Sequence, residues 1–563
     1  MRRVPTGISG TNFDAIIIGA GVNGCGVARD AAMRGLRVLL LDKGDIASGT
    51  TAASTRLIHG GLRYLEHGEV GLVRESLRER ETLLRKVAPH LVRPLAMLVP
   101  VYAGRRRGRF TIRAGMLAYD LLSSSKTLPR HQMLTPSEAL EYAPGLETEG
   151  LRGAALFYDA QVEYAERLAV ENALDARAHG ATVITYARVE RLLVEGGAAR
   201  GVVFTDLLDG ATHEARAPFI LNATGPWVDE VLEGSDAEGE RLLGGTKGSH
   251  IVVRAYDGAP RAAVYTEALE DGRPFFVVPW DGKLLIGTTD ERYAGNLDRV
   301  EADGREIEYL LRETNRVLPS ARLTREDVLY TYSGVRPLPR VAEGQEGDIT
   351  RRHFVRPSSV RGLFNVVGGK LTTYRALAEG AVDLIFRARG ETPPPCRTAD
   401  TPLPGAAVAD FDAFLRDFNA RSTLPQATTL RLLKVYGVRA AEVVRLAQMD
   451  AELSQVVSEE TGSIGAEVVY AFREESAETL ADCLMRRTMV GLNGHLGLDA
   501  LERAARVAQK FLGWDEGRAS REVEAYRNYV ERFHPESRSP TVREGAGVKA
   551  KGKRQKSKDK SGG

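Results

Sequence analysis

The sequence predicts an α/β unit combined with an antiparallel sheet, followed by an all-α domain. Three observations predict it: a strand, glycine turn, helix and strand near the N-terminus; short apolar pieces between residues 246 and 290; and helical patterning beyond a Pro-rich stretch at 392–404. At 563 residues, the chain is long enough for about three units with cores of their own. An apolar content of 43% with 27% charged residues excludes wholesale disorder and fibrous repeats. The 58 glycines follow no collagen-like period, so they mark places where backbone must approach another group closely.

Each element has its own warrant. Phe13–Ile18 reads as a strand, Val22–Arg34 as a helix rich in Ala and Gly, and Leu36–Leu41 as a second strand that ends at Asp42. Leu72–Val87 spaces its apolar residues as an amphipathic helix and stops before Pro89. A helix at Tyr164–His179 leads to Ala181–Tyr186, then to β-like pieces and a strand at Phe219–Asn222. Ser249–Arg254, Phe275–Trp280 and Lys283–Gly287 are short and apolar or alternating, the pattern of an antiparallel sheet. Gly362–Val367 is one more buried strand, entering a helix at about 373–389. The Pro-rich stretch cannot continue a helix or a sheet interior and reads as a linker and domain boundary. From 408 to 533 the pattern is helical, and no internal repeat is visible.

Composition bounds the function classes. Three widely separated cysteines, Cys25, Cys396 and Cys483, support neither a disulfide framework nor a metal knuckle, so a reducing compartment is expected and no metal site. Residues 548–563 carry a net charge of +6 out of the total of +2, which leaves −4 on the rest: a basic tail, disordered by composition, on a mildly acidic body. No apolar run reaches 18 residues, so a transmembrane helix is not expected, and Ala15–Ile18 is too short for a signal-peptide core.

Gly19-Ala20-Gly21-Val22-Asn23-Gly24 is G-x-G-x-x-G placed directly after a strand and at the start of a helix, with Asp42 closing the next strand. Glycines permit the tight turn, the helix N-terminus offers unpaired N–H groups to a pyrophosphate, and a carboxylate at that distance suits ribose hydroxyls. The setting indicates a Rossmann-like dinucleotide site. Two later segments, Asn222–Trp227 and Val366–Thr373, are also strand-to-turn transitions ending in small residues, as expected where backbone lies against a large flavin nucleotide; FAD is favoured over NAD.

These motifs, with residues 52–66 (AASTRLIHGGLRYLE), Ala88–Leu91, Lys247–His250, Ile286–Asp290, Tyr332–Pro337 and Gly368–Tyr374, make the sequence resemble the FAD-dependent, respiratory glycerol-3-phosphate dehydrogenases, on the flavoprotein fold shared with D-amino acid oxidases. The resemblance spans roughly residues 12–530, and Arg486-Arg487-Thr488 looks like the family's C-terminal domain. It departs at Asp42, where the family often has Glu. The layout it implies within residues 1–395 interleaves FAD-binding parts (about 12–100, 150–230 and 355–390) with an antiparallel-sheet substrate domain (about 100–150 and 240–350); a linker at 396–407, a helical domain at 408–535 and a basic tail at 536–563 follow. The implied FAD contacts are Gly19, Gly21, Asn23, Gly24, Asp42, Lys43, Thr50, Ser54, Leu57, His59, Gly60, Val189, Ala223, Thr224, Gly225, Trp227, Gly368, Gly369, Lys370, Leu371 and Thr372.

The implied reaction is oxidation of sn-glycerol 3-phosphate to dihydroxyacetone phosphate, with hydride passing from C2 to flavin N5 and electrons to a membrane quinone; the related oxidase, which reduces oxygen to peroxide, shares these motifs. By resemblance the substrate contacts are Arg63, Tyr64, His250, Arg336, Arg351 and Lys370. A phosphate dianion needs fixed cations, and Arg supplies permanent bidentate donors. His250 is the candidate base for the C2 hydroxyl, kept neutral among Arg side chains; a structural histidine in the sheet is the other reading. Arg336 would stabilise developing negative charge, and Lys370 would lie near the flavin. His59 and Gly60 are expected to shape the flavin loop, and Cys25 to pack on the first helix.

A quinone acceptor requires lipid access without a spanning segment, hence a peripheral enzyme on an anionic membrane surface, at the cytoplasmic face of the cell membrane. Arg105–Arg113 followed by Met116, Leu117, Tyr119, Leu121 and Leu122 suits an interfacial element, and equally a basic loop before a core helix. The tail would add attraction to anionic lipid. Nucleic-acid binding is not expected, and a homodimer is a family-level expectation.

Overall fold

The computed structural model describes residues 4–5, 7–66, 68–105, 107–123, 127–233, 241–340 and 353–535. Its nucleotide-binding sheet has six strands in the order Phe354–Pro357, Leu363–Val367, Phe219–Asn222, β1 (Ala15–Ile18), β2 (Val38–Leu41) and Thr182–Ile184. All neighbours run parallel except the edge strand Phe354–Pro357. Residues on the two faces of β1 enter different cores, as a period of two requires. Ala15 and Ile17 pack with α1 (Val22–Met33) and the helices Ala165–Ala178 and Tyr374–Ala388. Ile16 and Ile18 pack beneath a three-stranded meander, 187–216.

The second sheet has ten strands, and a long pair, Val92–Tyr102 with Leu151–Val162, runs through it. That pair comes from segments the expected layout gives mostly to the FAD-binding parts. It is antiparallel apart from one parallel contact, Ala263 and Val264 beside Met97 and Leu98. The helix Gly304–Val317 covers one face with Ile307, Leu310 and Leu311.

Beyond residue 404 the chain is helical from Phe411 to Phe533, interrupted by a short hairpin, Val456–Ser458 with Ser463–Ile464, which the sequence pattern does not reveal. The core of these helices is continuous with one face of the second sheet. The Pro-rich stretch is a packed strap: Leu403 N–H donates to Val87 O at 2.8 Å, Arg29 to Thr401 O at 2.8 Å, and Lys86 pairs with Asp400 at 2.7 Å. Proline stiffness and these ties fix its path. No described helix is long and apolar enough to cross a membrane. The basic tail and Arg351 lie outside the described residues.

Candidate active site

The parallel strands deliver their carboxyl ends to one crevice, where open α/β sheets bind ligands. Ile18 is in register with both Leu41 and Asn222, so the turns after all three strands meet. They line a cavity of about 920 Å³. Gly19 turns at φ 102°, a conformation that a side chain would strain, and a Cβ there would come within 2.6 Å of Ala223 O. Gly24 is off the cavity wall, contrary to expectation; it lets α1 pack on the turn, since a Cβ would strike Gly19 O. Gly60 is also off the wall, packed against Leu77 and the Tyr119 hydroxyl. The other expected FAD contacts line the cavity.

Asp42 works inside the turn as well as on the wall. Its carboxylate accepts from Ala20 N–H at 2.5 Å and Gly44 N–H at 2.7 Å, leaving further lone pairs for a ribose. Burial pushes its carboxyl up from the usual range, against the pull of those two N–H groups. Lys43 lies over the Trp227 ring at 4.7 Å and pairs with Asp298 at 2.6 Å. Asn23 Oδ1 and Trp227 Nε1 are buried on this wall without a hydrogen-bond partner among the described residues. Such orphaned groups, with a glycine turn at a helix N-terminus, fit a bound dinucleotide.

The same cavity reaches the second sheet. His250, 2% exposed, sits on Thr246–Arg254 opposite Gly287 and Tyr332. Its ring stacks on Tyr332 with centroids 4.9 Å apart, and a Cβ on Gly287 would collide with the imidazole. Its Nε2 is 2.9 Å from Thr55 Oγ1, while Nδ1 is sealed from solvent. Burial first, then the charges of Arg336 and Arg56, pushes its pKa down to about 3. Burial therefore outweighs the arginine effect that the sequence suggests.

Arg336 is more constrained than its motif implies. It pairs with Asp290 at 2.8 Å and donates to Thr288 Oγ1 at 2.9 Å and Thr289 O at 3.1 Å. Arg273 also donates to Asp290 O. Lys370 Nζ lies 3.6 Å from the Tyr64 ring centre, and Arg63 lines the same wall. The structure thus brings together five of the six expected substrate contacts, all but Arg351.

Sequence reasoning missed several wall residues. Tyr332 donates to Ser54 O at 2.9 Å, and Arg56 pairs with Glu166 at 2.7 Å. Both lie inside motifs quoted above, so the signal was present without a role. Met485, Tyr529 and Phe533 of the helical domain also line the cavity, and no local pattern announces that.

Comparison with known proteins decides the family. A family model described as FAD dependent oxidoreductase matches residues 14–384, and one described as the C-terminal domain of alpha-glycerophosphate oxidase matches 396–519. A glycerol-3-phosphate dehydrogenase of Synechocystis is 44% identical over 94% of this chain and 98% of its own. The chain belongs to the FAD-dependent glycerol-3-phosphate dehydrogenase family. The aerobic glycerol-3-phosphate dehydrogenase of Bacillus subtilis is 33% identical over 86% of this chain and 88% of its own. The crystal structure of the Bacillus halodurans member, complexed with FAD, superposes with a TM-score of 0.76 at 29% identity and covers 94% of this chain and 97% of its own. Members share the D-amino acid oxidase-like FAD fold with a helical C-terminal domain, and FAD is the cofactor of this chain.

Proposed function

We propose that this protein oxidises sn-glycerol 3-phosphate at C2 to dihydroxyacetone phosphate and passes the electrons to a membrane quinone. The observation that carries the reading is the meeting of His250, Arg336, Arg63, Tyr64 and Lys370 on one cavity with the dinucleotide turn. When bound, FAD supplies the hydride acceptor at N5. The cations of Arg63 and Lys370 bind the phosphate, and Arg336, braced by Asp290, offsets negative charge developing on the C2 oxygen.

His250 takes the hydroxyl proton. With Nδ1 sealed, Nε2 is the working nitrogen; Thr55 relays the proton to it or is displaced by the substrate hydroxyl. Burial and the two arginines keep the imidazole neutral, the form a base requires, and a bound dianion offsets the arginine charges when the imidazole takes the proton.

For the acceptor, support comes from the helix Arg109–Leu122. Ile112, Met116 and Tyr119 are its core face, whereas Phe110 at 87% and Leu121 at 79% exposure stand outward beside Arg109 and Arg113. An apolar stripe with flanking cations suits an anionic membrane surface, and both readings of this segment apply to one helix. The oxidase alternative rests on the description of the matched C-terminal model. Anaerobic bleaching of the flavin by sn-glycerol 3-phosphate, then reoxidation by a soluble quinone or by oxygen, decides: fast quinone and slow oxygen reoxidation is expected, and rapid peroxide formation means the oxidase. Absence of bleaching removes the substrate assignment.

A further inference from the structure

The helical domain does more than stand beside the flavoprotein fold. Asp45 follows β2 in the loop that carries Asp42, Lys43 and Gly44 onto the cavity wall, yet its own side chain is 2% exposed and lies behind that wall. Its carboxylate accepts from Arg486 Nε at 2.6 Å and from Arg487 Nη1 and Nη2 at 2.9 and 2.7 Å. Consecutive residues of an α-helix diverge by about 100°, so two neighbouring guanidinium groups do not ordinarily reach one carboxylate. Here they stand at the end of a π turn, Cys483–Arg487, the kind of helix irregularity often found at functional positions. Burial pushes the Asp45 carboxyl up, and Arg487 and Arg486 more than reverse this, so it remains ionised.

A second tie reaches the same loop. Arg486 also holds Asp482 at 2.8 Å, Asp482 accepts from the Tyr186 hydroxyl at 2.6 Å, and Tyr186 N–H donates to Gly44 O at 2.9 Å. From the loop the ties continue into the dinucleotide turn: Ala20 N–H donates to Asp42, and Ala47 N–H donates to Ala20 O. The grip is rooted, since Arg487 Nε donates to Glu475 O at 2.8 Å.

We propose that the helical domain is a clamp on the FAD-binding loop, with Asp45 and Arg487 as positioning residues that couple docking of this domain to retention of the cofactor. Neither side chain lines the cavity; they act by fixing the loop whose residues 42–44 do. A buried carboxylate with three charge-assisted donors has one low-energy geometry, and it transmits the position of the domain to the loop. Coupling is reciprocal, so bound FAD in turn strengthens the docking.

The test uses the full-length holoenzyme. Arg487→Lys keeps the charge and removes the two-pronged contact, and flavin release on dilution is followed by the rise in flavin fluorescence. The expected result is release faster by about tenfold or more, the usual size of a coupling between two contacts, and a melting temperature more dependent on added free FAD than that of the wild type. A lower melting temperature with unchanged flavin release and unchanged FAD dependence would mean an ordinary structural ion pair and overturn the proposal. A second measurement needs no variant: amide exchange of the wild type over residues 42–50 and 480–490 at rising FAD occupancy. Both segments slow together if the clamp is coupled; a response confined to 42–50 overturns it.

Discussion

The cofactor cradle and the substrate wall of this cavity are built from different materials. The cradle is mainly backbone: at Gly19 and Gly24 its turn has no room for a side chain, and contiguous sequence encodes it. The substrate wall is made of side chains from distant strands. His250 is opposite Tyr332 of a neighbouring strand and bonds to Thr55 across a sequence separation of 195. A backbone site tolerates change in most side chains and almost none in its glycines, whereas a side-chain site depends on how each group is held.

The largest effect should come from the cradle. Gly24→Ala drives a Cβ into Gly19 O, and the protein is expected to purify without flavin and without activity; a yellow preparation of wild-type absorbance would mean the turn can yield. On the other side, His250→Ala should lower turnover by roughly 10²–10⁴-fold with the flavin still bound, the usual contribution of a general base. Near-normal turnover with a normal visible spectrum would assign His250 to structure alone. These two variants separate the regions: one empties the cradle, the other leaves it filled and idle.

A smaller effect concerns stability. The His250 pKa falls from 6.5 to about 3 on folding, so the unfolded chain binds the extra proton between those values. Stability from this group is complete above pH 6.5 and lost progressively as pH falls toward 3. His250→Gln should therefore flatten the acid side of the stability curve by about one proton's worth of slope across that window, read from denaturation midpoints at successive pH values. An unchanged slope would mean that the imidazole becomes charged inside the fold. The smallest effect belongs to the outward face of the helix Arg109–Leu122. Phe110→Glu with Leu121→Glu should reduce flotation with anionic liposomes by about tenfold, as loss of buried apolar surface predicts, and leave flavin content unchanged. Equal flotation would remove this helix from the membrane reading.

The same contrast explains what was legible. The fingerprint Gly19–Gly24 with Asp42, and the returns at Asn222–Trp227 and Gly368–Thr372, could be read because each is local: strand, turn and helix follow one another along the chain. Strand positions such as Phe219–Asn222 and Lys283–Gly287 agree with the pattern to the residue. What Asp42 and Arg336 do with their hydrogen-bonding capacity was not legible, because their partners Ala20, Asp290 and Thr288 are selected by the fold and not by spacing. The packed course of the Pro-rich strap was equally hidden, since composition reports stiffness and not what the segment lies against.

By itself the sequence determined the cofactor class and the order of the domains, since hydrophobic periodicity and glycine placement act over a few residues. Tertiary structure alone decided which side chains share the cavity, how strongly burial lowers the pKa of His250, and that Arg486 and Arg487 close on Asp45 from more than 400 positions away. Desolvation and ion pairing depend on what surrounds a group in space, and that surrounding exists only once the distant segments have packed.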